Sequence, residues 1–180
     1  MKKLFACAVL ALGFALPACA ALKTGDKAPA ITTQASFAGK EFTFSLADAL
    51  KKGPVVLYFY PAAFTQGCTI EAHTFAEAVD EYKTYGATVV GVSNDTIDTL
   101  NKFSVSECSS KFAVAADTDQ KIMKAYDSVL LFKTNYANRT SYVISPAGQV
   151  IYEYTNMDPA EHVSKTMAAV KKWAAQNKAK

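Results

Sequence analysis

The sequence predicts an α/β fold in which a mixed central sheet is flanked by helices on both faces. Apolar runs with the composition of strands alternate along the chain with segments whose apolar residues recur at helical spacing. Two of these runs, residues 55–60 and 88–92, are mostly apolar throughout, which is typical of strands buried on both faces of a sheet. Near the end of the chain a strand pair and a last helix replace this alternation, so we expect antiparallel as well as parallel pairing.

The first half of the chain predicts a strand pair, a short helix, a buried strand and a long helix. Ala38-Gly39-Lys40 separates two polar–apolar runs, which indicates a hairpin. Gly53-Pro54 ends the short helix, and Gly86 ends the long one. The predicted elements are hairpin strands within residues 31–44, a helix at 45–51, a strand at 55–60 and a helix at 65–85.

The second half predicts two more strand–helix units, a hairpin and a closing helix. Pro146-Ala147-Gly148 marks the hairpin turn. Pro159 suits the first turn of the last helix, where its missing N–H costs nothing. The predicted elements are a strand at 88–92, a helix at about 96–108, a strand at 112–115, a helix at 120–126, strands at 140–145 and 149–154, and a helix at 159–176.

This order of elements is that of a thioredoxin-like fold. A flavodoxin-like fold is the alternative, and it would need a phosphate-binding loop after the first long strand. The segment there, Phe64-Thr65-Gln66-Gly67, has too little glycine for such a loop. No repeat or linker divides residues 21–180, so we expect them to form a single domain.

Residues 1–20 have the pattern of a secretory signal peptide. The charged pair Lys2-Lys3 precedes an apolar stretch at 4–16, and Ala18-Cys19-Ala20 fits a small-residue cleavage site. We therefore expect export to the periplasm. Leu16-Pro17-Ala18-Cys19 also loosely resembles a lipoprotein cleavage box, so a lipid anchor at Cys19 is a second possibility.

Charge and metal-ligand content argue against two classes of partner. The chain has a formal net charge of +3, of which two charges lie in the expected signal peptide, and no basic patch with interleaved aromatic residues implies a nucleic-acid partner. His73 follows Cys68 by five residues, a turn of about 140° along a helix, so the two side chains diverge. Because there is no second Cys–His cluster with His162, we expect no metal, and no organic cofactor is implied either.

Cys68 lies where the start of a helix would activate a thiol. With Thr65 as N-cap, Cys68 occupies the third helical position. Its sulfur then faces unpaired backbone N–H groups and the positive end of the helix dipole. That setting favours the thiolate, which is the reactive form.

After signal cleavage the mature chain has two cysteines, Cys68 and Cys108. An oxidising compartment allows them one disulfide, and a permanent structural bond is one interpretation. The setting of Cys68 favours redox chemistry instead, because a structural cysteine needs no thiolate-stabilising surroundings.

The segment Pro61-x-x-x-Thr65-x-x-Cys68 resembles the active-site motif of the peroxiredoxins. Its flanks, Tyr58-Phe-Tyr-Pro61 and Gly67-Cys-Thr-Ile-Glu71, resemble the subgroup known as bacterioferritin comigratory protein or peroxiredoxin Q. The resemblance continues through Ser93-Asn-Asp95, Asp117 and the segment that begins at Arg139, and so covers nearly the whole mature chain. It implies a thioredoxin-like fold and a thiol peroxidase that reduces hydrogen peroxide or organic hydroperoxides.

The resemblance also implies a role for each motif residue. Cys68 would be the peroxidatic cysteine, and Arg139 would stabilise both its thiolate and the stretched peroxide. Thr65 would hydrogen-bond the peroxide or the sulfur, Pro61 would shield the thiolate from water, and Glu71 would orient Arg139. A plainer interpretation stays open for each of four residues: Thr65 as only an N-cap, Pro61 as only a turn residue, Arg139 as only a surface charge and Glu71 as only a first-turn acid.

The chain departs from the family pattern at the second cysteine. Many members of the subgroup have a resolving cysteine five residues after the peroxidatic one, where this chain has His73. Cys108, near the end of the next predicted helix, is the natural candidate, because some relatives place a resolving cysteine in that helix, usually a few residues earlier. Its attack would require partial unwinding around Cys68. The alternative is a one-cysteine peroxidase recycled by an external thiol.

Two other functional classes fit the sequence less well. A thiol–disulfide oxidoreductase needs a Cys-x-x-Cys or Cys-x-x-x-Cys pair, and Thr65 and Phe64 occupy those upstream positions. A non-catalytic binding module would not need the set of active-site residues to be complete, yet all four are present: Pro61, Thr65, Cys68 and Arg139. We therefore expect a peroxide substrate, a thioredoxin-like protein or a small thiol as reductant, and a monomer.

Overall fold

The structure, a computed structural model, describes residues 21–177. The expected signal peptide, with Cys19, lies outside the described residues. Every strand and helix predicted above is present within residues 21–177. The strands are β1 (Thr32–Phe37), β2 (Lys40–Ser45), β3 (Val55–Phe59), β4 (Thr88–Ser93), β5 (Ala113–Ala116), β6 (Thr140–Ile144) and β7 (Val150–Thr155). The helices are α1 (Leu46–Leu50), α2 (Gln66–Thr84), α3 (Ile97–Ser106), α4 (Lys121–Ala125) and α5 (His162–Asn177), with a 3₁₀ turn at Pro159–Glu161 before α5.

The seven strands form one mixed sheet in the order β2-β1-β5-β4-β3-β6-β7. The central strands β3, β4 and β5 run parallel to one another. β6 pairs antiparallel with β3, and β1 pairs antiparallel with β5. The predicted mixed sheet is confirmed, and the flavodoxin-like alternative is wrong because that fold requires a parallel sheet.

Helices cover both faces of the sheet, and each face has its own core. Side chains alternate between faces along a strand. Val56 and Tyr58 of β3 therefore join the core beneath α2, α3 and α5. Val55 and Leu57 join the core on the other face, with α1 and α4. No helix among residues 21–177 has the length and apolar character needed to cross a membrane.

A close approach between β3 and β4 positions α2 on the sheet. Tyr58 pairs with Gly91, where an added Cβ would lie 2.8 Å from the tyrosine ring. The ring therefore needs glycine at this position. On its other side it stacks on Phe75 of α2, with 4.4 Å between ring centroids. This contact holds the helix that begins beside Cys68.

The end of α3 differs from the prediction. The helix ends at Ser106 rather than at Cys108. Ser109 and Ser110 adopt left-handed conformations with φ of 49° and 56°, and the backbone N–H of Ser110 donates to the carbonyl of Ser104 over 2.9 Å. Glycine usually marks such a helix end, so its absence hid this one. Cys108 consequently lies in the turn after α3.

Candidate active site

A short loop between β3 and α2, residues 61–65, leads into the site and is anchored to the end of β4. The carboxylate of Asp95 accepts hydrogen bonds from the backbone N–H of Ala63 and from the hydroxyl of Ser93, each over 2.7 Å. Pro61 is half-buried at the start of this loop. The loop therefore has a defined position relative to the sheet before the helix begins.

The residue before the helix cap has a strained backbone. Phe64 adopts a left-handed conformation with φ of 63°, which is uncommon for a bulky residue. Its ring packs edge-on against Phe103 of α3, with 5.3 Å between centroids, although about half of the side chain is exposed. The aromatic contact helps to offset the strain and ties the loop to α3.

Thr65 is the N-cap residue of α2, and Cys68 is the third helical residue, as predicted. The hydroxyl of Thr65 does not cap the helix: it donates to the carbonyl of Ala62 over 3.0 Å. No side chain therefore covers the N–H groups of the first turn. Cys68 is only 1 % exposed, whereas Thr65 is exposed.

Arg139 lies just before β6 and reaches the sulfur of Cys68. Its Nη2 is 3.6 Å from Sγ, its Nε donates to the carbonyl of Met157 over 3.0 Å, and its Nη1 donates to Glu71. The side chain is buried, so its predicted alternative role as a surface charge is wrong. Gly67 leaves the space it needs, because a Cβ there would lie 3.0 Å from Nη2.

Glu71 lies one turn after Cys68 and is fully buried. Its Oε2 accepts the hydrogen bond from Arg139, while its Oε1 has no hydrogen-bond partner among the described residues. Burial raises the pKa of this carboxyl to about 8, against the opposing attraction of the guanidinium. The contact between Glu71 and Arg139 anticipated from the sequence is present.

His162, at the start of α5, belongs to the same buried network and was considered from the sequence only as a metal ligand. Its Nδ1 is 2.8 Å from the hydroxyl of Ser141, and its Nε2 is 2.8 Å from the carbonyl of Asn156. Burial lowers the pKa of its imidazole to about 4. Within residues 21–177 no group of three or more His, Cys, Asp or Glu side chains is placed to hold a metal ion. His162 Nδ1 also lies 3.6 Å from Oε1 of Glu71. Sequence reasoning missed this contact because it joins α2 and α5, which are far apart in the sequence.

Cys108 is buried in the turn after α3, in the same core as Cys68. Both thiols are free. Burial raises the pKa of the Cys108 thiol well above its usual value, and the nearby charge of Glu107 adds to this effect. Cys108 is therefore protonated while it stays in the core.

His73, in the position of the missing cysteine, connects α2 to that turn. Its Nε2 lies 3.0 Å from a carboxylate oxygen of Glu107, the neighbour of Cys108. Five residues of helix separate His73 from Cys68, a rise of about 7.5 Å. The turn that holds Cys108 thus lies against the second turn of α2, beyond Cys68.

Comparisons with known proteins agree with this geometry. Residues 24–153 match the model of the AhpC/TSA family. Peroxiredoxin Bcp of Xanthomonas campestris pv. campestris is 31% identical over 128 residues, which are 68% of this chain and 79% of that protein. The crystal structure of peroxidoxin BcpB from Mycobacterium tuberculosis has a TM-score of 0.76 and 28% identity, and the match covers 83% of this chain and 97% of the other. Xanthomonas campestris peroxiredoxin Q gives 0.69 and 28%, over 78% and 90%. The thioredoxin-like fold is thereby confirmed.

Proposed function

Because this chain belongs to the AhpC/TSA family of peroxiredoxins and is a thiol-dependent peroxidase, we propose that Cys68 is the residue that attacks the peroxide. The observation that carries this proposal is the approach of Arg139 Nη2 to within 3.6 Å of Sγ, at the uncapped start of α2. A buried guanidinium and the helix dipole both favour the thiolate. The other described cysteine, Cys108, instead has the negative charge of Glu107 nearby.

The reaction moves two electrons from sulfur to the peroxide. The thiolate attacks one peroxide oxygen, an S–O bond forms as the O–O bond breaks, and Cys68 becomes a sulfenic acid. The departing oxygen takes up negative charge and then a proton, leaving as water or an alcohol. Arg139 donates to that oxygen, and because Glu71 and Met157 already hold the guanidinium, little reorganisation is needed.

The loop residues orient the substrate. The hydroxyl proton of Thr65 is used by the carbonyl of Ala62, so its lone pairs are free to accept a hydrogen bond from the peroxide O–H. Pro61, half-buried in the adjacent turn, limits the access of water to the thiolate.

Cys108 then resolves the sulfenic acid. Its thiol attacks the sulfur of Cys68, water leaves, and an intramolecular disulfide forms. Both cysteines are buried and the turn of Cys108 lies beyond Cys68, so the first turn of α2 or the turn itself has to rearrange. A thioredoxin-like protein or a small thiol reduces the disulfide. Recycling by an external thiol without Cys108 is the alternative.

The sequence also supports a proposal for the location and the oligomeric state of the enzyme. We propose that residues 1–20 direct export to the periplasm, with a lipid anchor at Cys19 as the second possibility. We also propose that the enzyme acts as a monomer, as relatives in the peroxiredoxin Q subgroup that the sequence resembles often do. Cell fractionation and sedimentation of the purified protein test these two points.

The test of the chemistry compares two serine variants by rapid kinetics with hydrogen peroxide. Cys68→Ser should consume no peroxide. Cys108→Ser should consume one equivalent and then stall in the presence of a thioredoxin-type reductant. Full peroxidase activity in Cys68→Ser would sink the proposal, and steady turnover in Cys108→Ser would favour the one-cysteine alternative.

A further inference from the structure

Behind Arg139 lies a buried polar group that the peroxidase chemistry above does not use. It consists of the free oxygen of Glu71, the imidazole of His162 and the hydroxyl of Ser141, which come from α2, α5 and β6. Oε1 of Glu71 lies 3.6 Å from Nδ1 of His162, and both side chains are fully buried. An inference from this group rests on the proposed role of Cys68.

The contacts of His162 determine which ring nitrogen carries its proton. Nε2 faces the carbonyl of Asn156 at 2.8 Å, and a carbonyl can only accept, so Nε2 carries the hydrogen. The buried ring is neutral and has one N–H, which leaves Nδ1 as a bare lone pair. The hydroxyl of Ser141, 2.8 Å away, therefore donates to Nδ1.

This tautomer decides the state of Glu71. If the carboxyl were ionised, Oε1 would hold a buried charge with no donor beside it, because Nδ1 carries no hydrogen and the Ser141 proton is directed at Nδ1. A proton on Oε1 removes that uncompensated charge. The separation of 3.6 Å is longer than a full hydrogen bond, so the gain is electrostatic. The burial that raises the pKa of Glu71 to about 8 acts in the same direction.

The charge balance of the site links this proton to Cys68. Arg139 is the cation that contacts both the sulfur of Cys68 and the carboxyl of Glu71. It can neutralise one buried anion, not two. We propose that Cys68 and Glu71 share one dissociable proton, and that His162 favours its position on Glu71, which leaves Arg139 to the Cys68 thiolate. His162 is thus a positioning residue that acts through Glu71.

The proton balance of the reaction then closes inside the site. The thiolate, the peroxide and the protonated Glu71 give the sulfenic acid, an alcohol or water, and the Glu71 carboxylate. The leaving oxygen takes up one proton and Glu71 gives up one proton, so the site as a whole neither gains nor loses a proton in this step. Arg139 is paired with an anion before and after the step. When the disulfide is later reduced, the Cys68 thiol returns its proton to Glu71.

Two further titratable groups, Tyr58 and Asp158, lie near Glu71 and His162. Tyr58 of β3 is close enough to Glu71 and to Cys68 for their charges to raise the pKa of its buried hydroxyl, although burial is the larger cause. Asp158, before the 3₁₀ turn, acts to raise the pKa of His162, and Arg139 acts to lower it. None of these groups supplies a second cation to the Glu71 carboxyl.

The first test observes the proton directly. Difference infrared spectra of the reduced protein, before and after one equivalent of hydrogen peroxide at neutral pH, should show the loss of a protonated-carboxyl band. The band should be missing in Glu71→Gln. A spectrum without a carboxyl change, or one that Glu71→Gln leaves intact, would overturn the proposal.

The second test uses the pH profile of the first peroxide turnover. His162→Phe removes the ring nitrogen that lacks a hydrogen and releases the Ser141 hydroxyl from it, so ionised Glu71 is less disfavoured and the proton moves to Cys68. The pH of half-maximal rate should then rise by about one unit. The same substitution in a Glu71→Gln background should produce no shift, since residue 71 then has no proton to exchange. Val170→Ala, which opens a cavity in α5 away from the site, controls for lost packing and should leave the profile unmoved.

Different results would contradict the role of Cys68 and the shared proton. If reduced protein does not consume a stoichiometric amount of peroxide, the proposed role of Cys68 is wrong. If it does, and His162→Phe moves the pH profile equally in both backgrounds, Cys68 keeps its role and the shared proton is excluded.

Discussion

At the scale of single residues, the site depends on how firmly one guanidinium is held. Arg139 is engaged at three nitrogen atoms, by Met157, Glu71 and Cys68. Each contact restricts a different motion of the planar group, so its position is set before the peroxide arrives. Gly67 is the point where the helix itself could disturb this arrangement, because the guanidinium passes over it.

We therefore expect Gly67→Ala to separate activity from stability. The new Cβ would displace Nη2 by a few tenths of an ångström and should lower the rate of the first turnover about tenfold or more. Alanine in a helix is favoured over glycine by up to about 1 kcal/mol, so the protein should be no less stable. Stopped-flow kinetics and urea unfolding test the two effects, with the exposed Gln66→Ala as control. A variant with normal kinetics would contradict this role of Gly67.

The raised pKa of Glu71 also predicts how stability varies with pH. The unfolded carboxyl loses its proton near pH 4.5, whereas the folded one keeps it to about 8. Stability from this group is full below pH 4.5 and is lost as pH rises through 8. His162 has the opposite effect at lower pH, because its pKa falls from 6.5 to about 4 on folding. The decline due to Glu71 should thus be clearest between pH 6.5 and 8.

Glu71→Gln should remove this contribution to the pH dependence of stability. Relative to Glu71→Gln, the wild-type free energy of unfolding should fall by up to about 2 kcal/mol between pH 6.5 and 8, because the contribution of Cys68 is common to the two proteins and cancels in the difference. Urea titrations at several pH values measure both. Glu77→Gln, the same change on the exposed side of α2, should retain the wild-type slope. Equal slopes in wild type and Glu71→Gln would contradict a protonated Glu71.

At the scale of elements, the site is the meeting point of a helix start, a strand start and a loop end. α2 supplies Cys68 and Glu71, and Arg139 lies immediately before β6. The loop after β7 supplies the Met157 carbonyl. The contact between His73 and Glu107 connects α2 to the turn of Cys108. This contact joins the two elements that carry Cys68 and Cys108, so it would restrain the rearrangement that the proposed disulfide requires.

We expect His73→Ala to speed resolution and to leave the first turnover unchanged. Without the contact to Glu107, the turn of Cys108 opens more readily, so the disulfide should form a few-fold faster after the same burst of peroxide consumption. Tryptophan fluorescence or quenched-flow alkylation follows the second phase. Glu77→Ala on the same helix is the control. A second phase that is unchanged or slower in His73→Ala would show that this contact does not restrain Cys108.

At the scale of the whole molecule, the sequence predicted the elements and their layers because local patterns carry that information. The apolar runs of β3 and β4 and the helical spacing of α2 each occur within one segment. The end of α3 was misplaced because Ser109 and Ser110 take conformations that glycine usually marks. The roles of Gly67 and His162 depend on contacts between distant elements, and such contacts leave no local signal.

The burial of both thiols in the reduced protein predicts that formation of the proposed disulfide opens part of the fold. Hydrogen exchange should be faster in the oxidised than in the reduced protein at residues 65–72, at residues 104–111 or at both, since at least one of these segments would have to rearrange for the sulfurs to meet. Strands β3 and β4 should exchange equally in the two forms. Uniform exchange across the oxidised chain would contradict a local rearrangement.

The most direct test of the account is to map the products of one stoichiometric oxidation. Reduced protein is treated with one equivalent of hydrogen peroxide, trapped with an alkylating agent and analysed by peptide mass spectrometry. The account predicts a single disulfide between Cys68 and Cys108, preceded by sulfenic acid at Cys68 alone. Peroxide consumed while Cys68 stays an unmodified thiol would contradict it.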